Sequence, residues 1–584
     1  MLPLAAAACL VPSLKAQSPD AIYYHARILT GIGLDKGRLD FVSAMAIRDG
    51  LITATGSDAA MLKTKGPKTQ LVDLGNEFVM PGFNDAHTHL ADAGFLKLTV
   101  DLTGCHSLQE MLGRIAAAAK AAPPGHWLQG GGWDHTLWTE KVLPTAQELD
   151  SVTGDHPAIF QRVDGHIAVA NTLALKAAGI TPQTPDPQGG QFDKEVNGFA
   201  GSDGLHHVTK LTGIVREDAA MEPIFAKIPP PTEAERTRAL ELAFADASEN
   251  GVTSAQNLST WDDFLVMEKL ERQGHLPVRV YEWLYFNDPV STLKEQRASH
   301  PAEDRMLRTG MLKGFMDGSL GSRTAALNAP YADDPNNSGL PRYKQPELNA
   351  MTKARAAAHF QMGFHAIGDR AVEMALSAFQ SATTASDCSI AHIGAEPDSY
   401  VKRGCLRRPR IEHSQVLDAG DFVRYEKLGV IASMQPSHLL TDMNWAEQRL
   451  GHDRARYSYA WKSFLDHGVV LAFGTDYPVE PISPFRGLYA AVTRMNEAGT
   501  RSYFPQEKLN LAQALYAYTQ GSAYAEFAER YKGTLAPGMV ADFVILDRDL
   551  TRIPPHDILG AQVLRTVVAG HPTWMANAAT RRAR

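Results

Sequence analysis

The segment Val79-Met80-Pro81-Gly82-Phe83-Asn84-Asp85-Ala86-His87-Thr88-His89 carries two histidines one residue apart at the end of a short apolar run. Where a strand twists out of a sheet, both imidazoles can turn toward one metal ion. The Pro-Gly break just before them marks entry into a new structural unit. Alone the pair is weak, because the chain has 21 histidines in 584 residues. Four more side chains stand in comparable settings near the ends of apolar segments: Lys313 in Met311-Leu312-Lys313-Gly314-Phe315-Met316, His365, His413 in Arg410-Ile411-Glu412-His413, and Asp476 in Phe473-Gly474-Thr475-Asp476. Each has an ordinary explanation. A lone strand histidine is commonly a hydrogen-bonded core residue, an Asp after Gly-Thr a turn residue, and a lysine a solvated charge. Chance does not readily supply all six at successive segment ends.

Four neutral imidazoles and one carboxylate suit zinc or a similar borderline metal. Lys313 sits among Leu312, Phe315 and Met316, and burial lowers a lysine pKa by disfavouring the charged form. The neutral amine can then add carbon dioxide to become a carbamate (N6-carboxylysine), which can bridge two metals. A metal lowers the pKa of bound water from about 16 to about 7. Asp476, beside the metals, can take the proton from that water and pass it to the leaving group.

These residues need a scaffold that brings distant segments to one place. Eight strand candidates precede or contain them: Phe83–His89, Val252–Leu258, Val278–Phe286, Met311–Met316, Met362–Ile367, Arg410–His413, Val430–Met434 and Val469–Gly474. Helical patterns lie between them. Thr232-Glu233-Ala234-Glu235 is a capping box, followed by Leu240, Ala243, Phe244 and Ala247 at helical spacing and by Gly251 as a stop. This alternation predicts an α/β fold, a (β/α)8 TIM-type barrel over 81–530, with active-site groups at the C-terminal strand ends. Such a barrel needs about 250 residues, so insertions are expected at about 91–230 and 385–408. Short strands at Ala21–Ile28, Ala44–Ile47, Leu51–Thr55 and Gln70–Leu74, with a similar pattern over 533–574, predict a small composite β-sandwich from both termini, 18–80 plus 531–576.

A formal net charge of -8 offers no basic face for nucleic acid, and no apolar run approaches the roughly 20 residues of a membrane span. A small-molecule substrate is the expected partner, and a homo-oligomer is compatible with the sequence. Residues 1–17 resemble the hydrophobic part of a secretory signal, with a cut near Ala16, which predicts a periplasmic or secreted protein. The missing charged leader keeps a cytoplasmic location as the alternative. Cys388 and Cys405 are either a loop-closing disulfide or two free thiols. Gly130-Gly131-Gly132 lacks the Gly-Lys-Ser/Thr of a phosphate loop, His206-His207 reads as a surface pair, and 577–584 is a short basic tail.

Val79–His89, Lys313–Arg323, His365–Ala371, Arg410–Gln415, Gly474–Glu480 and Gly533–Leu546 resemble the signature segments of the amidohydrolase superfamily. More narrowly, Gly131-Gly132-Trp133-Asp134-His135, Arg162-Val163-Asp164-Gly165-His166 and Asp317–Ala325 resemble its family 3 branch of YtcJ-like metal-dependent hydrolases, which includes N-substituted formamide deformylase. The resemblance runs from about residue 21 to 575. It implies hydrolysis of an amide or related C–N bond at a centre of one or two divalent metals, most simply zinc. His87 and His89, with Asp476, would hold one ion, and His365 and His413 the other, bridged by Lys313 as a carbamate. Arg162, His166, Asp317 and Arg323 would lie near the substrate. Cys388–Cys405 and the polar Gly189–Asp203 depart from the branch pattern, the latter as a different lid. The alternative reading is a mononuclear deaminase, or another cyclic-amide or ester hydrolase of the superfamily.

Overall fold

The structure, a computed structural model, describes residues 17–135, 138–162, 167–187, 190–196, 208–383 and 407–577. The leader-like stretch to Ala16, His166, His206-His207, most of Gly189–Asp203, Cys388–Cys405 and Arg581–Arg584 lie outside the described residues. The chain forms two compact units, Met1–Leu90 with Phe244–Arg584, and Ala91–Ala243.

In the first unit, β1 (Phe83–Thr88), β2 (Val252–Leu258), β3 (Arg279–Tyr285), β4 (Leu307–Phe315), β5 (Gln361–Ala366), β6 (Arg410–His413), β7 (Ile431–Met434) and β8 (Leu471–Phe473) lie side by side in chain order. Every neighbouring pair is parallel. β8 returns to β1 through a bridge between Thr88 and Tyr477 and a bond from Asp476 N to His87 O of 2.8 Å. The sheet therefore closes as a (β/α)8 barrel, the fold class the sequence predicts. Strands covered on both faces should read as near-continuous buried runs, and every residue of β1, β2, β6, β7 and β8 is buried.

The barrel floor is polar. Arg410 is fully buried on β6, where its guanidinium donates to Glu412, to Gln256 of β2, to the Ala86 carbonyl of β1 at 2.7 Å and to Ser433 of β7 at 2.7 Å. A buried guanidinium is tolerated only when paired and bonded in this way.

Both chain ends of this unit contribute two further sheets. One has the order Leu51–Gly56, Ala44–Arg48, Ala21–Tyr24, Gln70–Asp73. The other runs His571–Met575, Val563–Val568, Phe543–Leu546, Phe78–Pro81, Arg27–Leu29, Phe41–Val42. Tyr23, Met45, Ile47 and Ile52 from the first pack with Ile28, Val79, Phe543, Ile545 and Val567 from the second in one apolar core. This is the composite β-sandwich.

Ala91–Ala243, where the sequence suggested an insertion, holds a six-stranded mixed sheet of its own, in the order Gln191–Val196, Val208–Arg216, Ile167–Ala170, Ala158–Arg162, Leu128–Trp133, Val100–Asp101. Gly130–Gly132 lies inside one of its strands, and a Cβ on Gly130 would meet Val100 O at 2.1 Å. That close approach accounts for the glycine. Two apolar clusters, around Trp127 and Ile159 and around Trp133 and Phe160, form its core. The expected helix is present at Glu233–Glu249, with Thr232 and Glu235 bonded reciprocally at its start.

Candidate metal centre

The C-terminal ends of five barrel strands converge on one cluster. His87 stands near the end of β1 with His89 just beyond it, Lys313 near the end of β4, His365 near the end of β5, and His413 closes β6. Asp476 follows β8 by three residues. Asp85 sets the last placement. Its carboxylate accepts from Thr475 N at 3.0 Å and Thr475 Oγ1 at 2.6 Å, fastening the turn after β8 against β1. Gly474 permits that approach, since a Cβ there would lie 2.5 Å from His87 N and 2.6 Å from Asp85 Oδ1. His413, Ser414 and Asp476 have φ of 72°, 45° and 60°. Left-handed backbone costs about 1–3 kcal/mol at a non-glycine residue and concentrates at functional sites.

Within the cluster, Asp476 Oδ1 is 3.2 Å from His89 Nε2 and 3.6 Å from His87 Nε2. Lys313 Nζ lies 2.8 Å from His87 Nε2, and the rings of His365 and His413 are 4.5 Å apart. His87, His89 and Asp476 present three ligand atoms within 4.8 Å of one another. A second group with the same property is His413, His438 and Asp476.

Burial, and then the charge on Lys313, push His87 down to about 4 and His365 down to about 3. Burial pushes His413 down as well. These imidazoles are neutral at pH 7, so each keeps one nitrogen lone pair. On His87, Nδ1 faces the Glu412 carboxylate at 3.0 Å, which leaves the lone pair on Nε2, toward Lys313. On His365, Nε2 donates to the Gly318 carbonyl at 3.0 Å, which leaves it on Nδ1. His413 Nδ1 is buried with no hydrogen-bond partner among the described residues. Burial lowers Lys313 to about 8. Burial alone would raise Asp476, but His87, His89, His413 and His438 around it hold the carboxyl well below the usual range. Neutral imidazoles beside an ionised carboxylate and a readily deprotonated amine form a donor set that fits a divalent metal.

Of the four residues expected near a substrate, three are among the described residues. Asp317 is fully buried, and its carboxylate accepts from the backbone of Ala326, Ile367 and Gly368 at 2.9, 3.1 and 2.8 Å, with His365 Nε2 at 3.5 Å. Those bonds fasten the loop after β4 to the segment that follows β5. Arg323 pairs with Asp333 through 3.2 and 2.9 Å bonds. Arg162, in the unit Ala91–Ala243, bonds Asp134 at 2.6 Å. His166 lies outside the described residues.

Sequence reasoning missed His438 and the roles of Asp85, Arg410 and Glu412. His438 follows β7 by four residues, in Gln435-Pro436-Ser437-His438. Its position just past a barrel strand was the available signal, but it has no second histidine in a recognisable spacing. No described helix is long and apolar enough to cross a membrane.

The profile of the amidohydrolase family matches residues 70–573. YtcJ of Bacillus subtilis (strain 168) is 31% identical over 541 residues, covering 91% of this chain and 96% of that protein. The N-substituted formamide deformylase of Arthrobacter pascens is 25% identical over 544 residues, covering 90% and 94%. Among solved structures, an uncharacterized metal-dependent hydrolase from Pyrococcus horikoshii superposes with a TM-score of 0.74 at 27% identity, covering 92% of this chain and 99% of that one.

Proposed function

The chain belongs to the amidohydrolase family, a hydrolase acting on C–N bonds with a divalent metal, and on that footing we propose that its substrate is an N-acyl or N-formyl amine, including amino-acid derivatives. The observation that carries this reading is the gathering of His87, His89, Lys313, His365, His413 and Asp476 at the C-terminal ends of the strands. The similarity to an N-substituted formamide deformylase supports the N-formyl class.

His87, His89 and Asp476 would hold one ion and His365 and His413 the other, with Lys313 as a carbamate between them. Zinc suits the donors. A bound metal supplies Lewis acidity, which acidifies water and polarises a carbonyl. The remaining work falls to the chain. Asp476 accepts the proton of the attacking water and delivers it to the amine nitrogen as the C–N bond breaks, so the leaving group departs neutral. Glu412 keeps the hydrogen of His87 on Nδ1. The depth of the site keeps Lys313 in reach of the neutral form.

Asp476→Asn should lower kcat by about 100- to 10,000-fold while metal stays bound. Full activity in that variant would remove Asp476 from the mechanism. Metal counting on protein purified with bicarbonate, with mass analysis of Lys313 for a gain of one carbon dioxide, tests the bridge. A one-metal deaminase is the second reading, favoured by the three ligand atoms that His87, His89 and Asp476 already bring within 4.8 Å of one another. One ion per chain and an unmodified Lys313 would select it.

A further inference from the structure

His438 lies outside the ligand set just described, yet it faces the same carboxylate. Its Nε2 is 3.7 Å from Asp476 Oδ2, whereas His87 and His89 approach Oδ1. Its ring stacks on His413 with centroids 5.9 Å apart. The side chain is 11% exposed, and Nε2 itself is buried with no hydrogen-bond partner among the described residues. A buried, unsatisfied ring nitrogen costs free energy in the resting protein, and such groups call for a reason.

The segment that carries this ring is fixed from several sides. His438–Asp442 is one short helix after β7, with Leu439 and Leu440 buried. Thr441 Oγ1 donates to Glu480 at 2.6 Å, and Arg486 holds the other oxygen of Glu480 at 2.7 Å. The Asp442 carboxylate accepts from Tyr459 at 2.5 Å and from Gln415 at 3.2 Å. Gln415 follows β6 by two residues, so the helix is tied directly to the element that ends in His413. A side chain held this way has already paid the ordering cost that a catalytic hydrogen bond would otherwise incur on reaction.

We propose that His438 is a catalytic residue, whose Nε2–H donates to the substrate carbonyl oxygen and holds it as negative charge develops there. The nearby carboxylate favours the tautomer with hydrogen on Nε2, which is a donor. The two oxygens of Asp476 then face different tasks: Oδ1 meets the histidines proposed as ligands, and Oδ2 lies on the side where His438 meets the acyl group. The site would thus select substrates whose carbonyl carries no bulky group toward His438, with formyl the smallest. This assignment rests on the amide-hydrolase reading, but part of its test does not.

The test compares wild type, His438→Gln and His438→Ala for metal content, for kcat and KM on N-formylbenzylamine, and for calorimetric affinity toward methylphosphonate, a stable tetrahedral oxyanion. A preorganised donor of this kind is worth about 100- to 1,000-fold in kcat. His438→Ala should lose that much with KM changed less than about threefold, metal content unchanged and methylphosphonate bound at least about tenfold more weakly. His438→Gln keeps an N–H near the same place and should recover part of both. If wild type turns over no N-formyl amine, the functional reading fails, while the methylphosphonate comparison still decides the role of His438. Loss of a metal ion from His438→Ala would make His438 a ligand and overturn the proposal. So would unchanged kcat and oxyanion affinity, or equal losses in both variants with a lowered melting temperature.

Discussion

The carboxylate of Glu412 lies 3.0 Å from Nδ1 of His87, with both side chains fully buried. Burial would raise Glu412, but the Arg410 guanidinium and then the bond to His87 pull it down to about 2. The chain Arg410, Glu412, His87 therefore ends in an imidazole whose ring orientation and tautomer are set before any ligand arrives. Removing such an orienting partner generally costs about 10- to 100-fold in metal affinity. Glu412→Ala should show that loss in competition with a chromogenic chelator. An unchanged affinity would mean that β1 alone orients His87.

Lys313 gives the site a pH dependence with a defined sign. Burial lowers its amine to about 8, and only the neutral amine adds carbon dioxide. Below that value each pH unit reduces the neutral fraction about tenfold, and above it the fraction levels off. Protein stripped of metal and carbamate should regain activity faster as pH rises toward 8, at fixed dissolved carbon dioxide. A recovery rate that is flat from about pH 6 to about pH 9 would exclude Lys313 as the slow step. Lys313→Arg, which stays protonated, should not recover.

Gly474, the residue just after β8, lies tight against β1. A methyl group there would stand 2.5 Å from His87 N, so Gly474→Ala must push the strands apart and carry Asp476 away from His87. Overpacking of this kind costs about 1–3 kcal/mol. The variant should melt at lower temperature and bind less metal. Wild-type metal content in a destabilised variant would show that the turn after β8 can adjust independently of the strand.

The barrel was legible because its strands are short apolar runs bounded by turn residues, and because unlike chemical groups recur at their ends. Lys313 among Leu312, Phe315 and Met316 is such a case, and it is buried with a lowered pKa. The unit Ala91–Ala243 was not legible as a sheet. Its strand second from one edge is Leu128-Gln129-Gly130-Gly131-Gly132-Trp133, whose glycines break the alternation that marks a strand and whose placement depends on close contact with Val100 and Gln161. His438 was missed for a related reason. Its setting arises from Asp476, His413 and Gln415, all distant in sequence from the helix that carries it. The partner of Arg323, Asp333 ten residues on, was likewise not legible in the sequence.

The barrel end opposite the metal centre carries a buried ion pair whose breaking has a predictable cost. Arg279, the first residue of β3, meets Asp542 through bonds of 2.6 and 3.0 Å with 4% and 6% of the side chains exposed. Asp542 Oδ1 also accepts from Ala569 N at 2.8 Å, so one carboxylate joins the barrel to the loop after Val563–Val568. Asp542→Ala leaves a buried guanidinium with, among the described residues, the Arg305 carbonyl at 2.8 Å as its one strong acceptor. Breaking a buried pair on one side typically costs about 3–5 kcal/mol, because the remaining charge keeps its desolvation penalty. Replacing both partners with apolar residues of similar volume is often close to neutral. Arg279→Met with Asp542→Leu should therefore recover much of the urea midpoint that Asp542→Ala loses, short of the bond to Ala569 N. If the double variant is no more stable than the single one, the pair contributes through its geometry rather than through the penalty of an unmatched charge. Metal content of the folded fraction should match wild type in both, since the bond lies at the N-terminal end of β3.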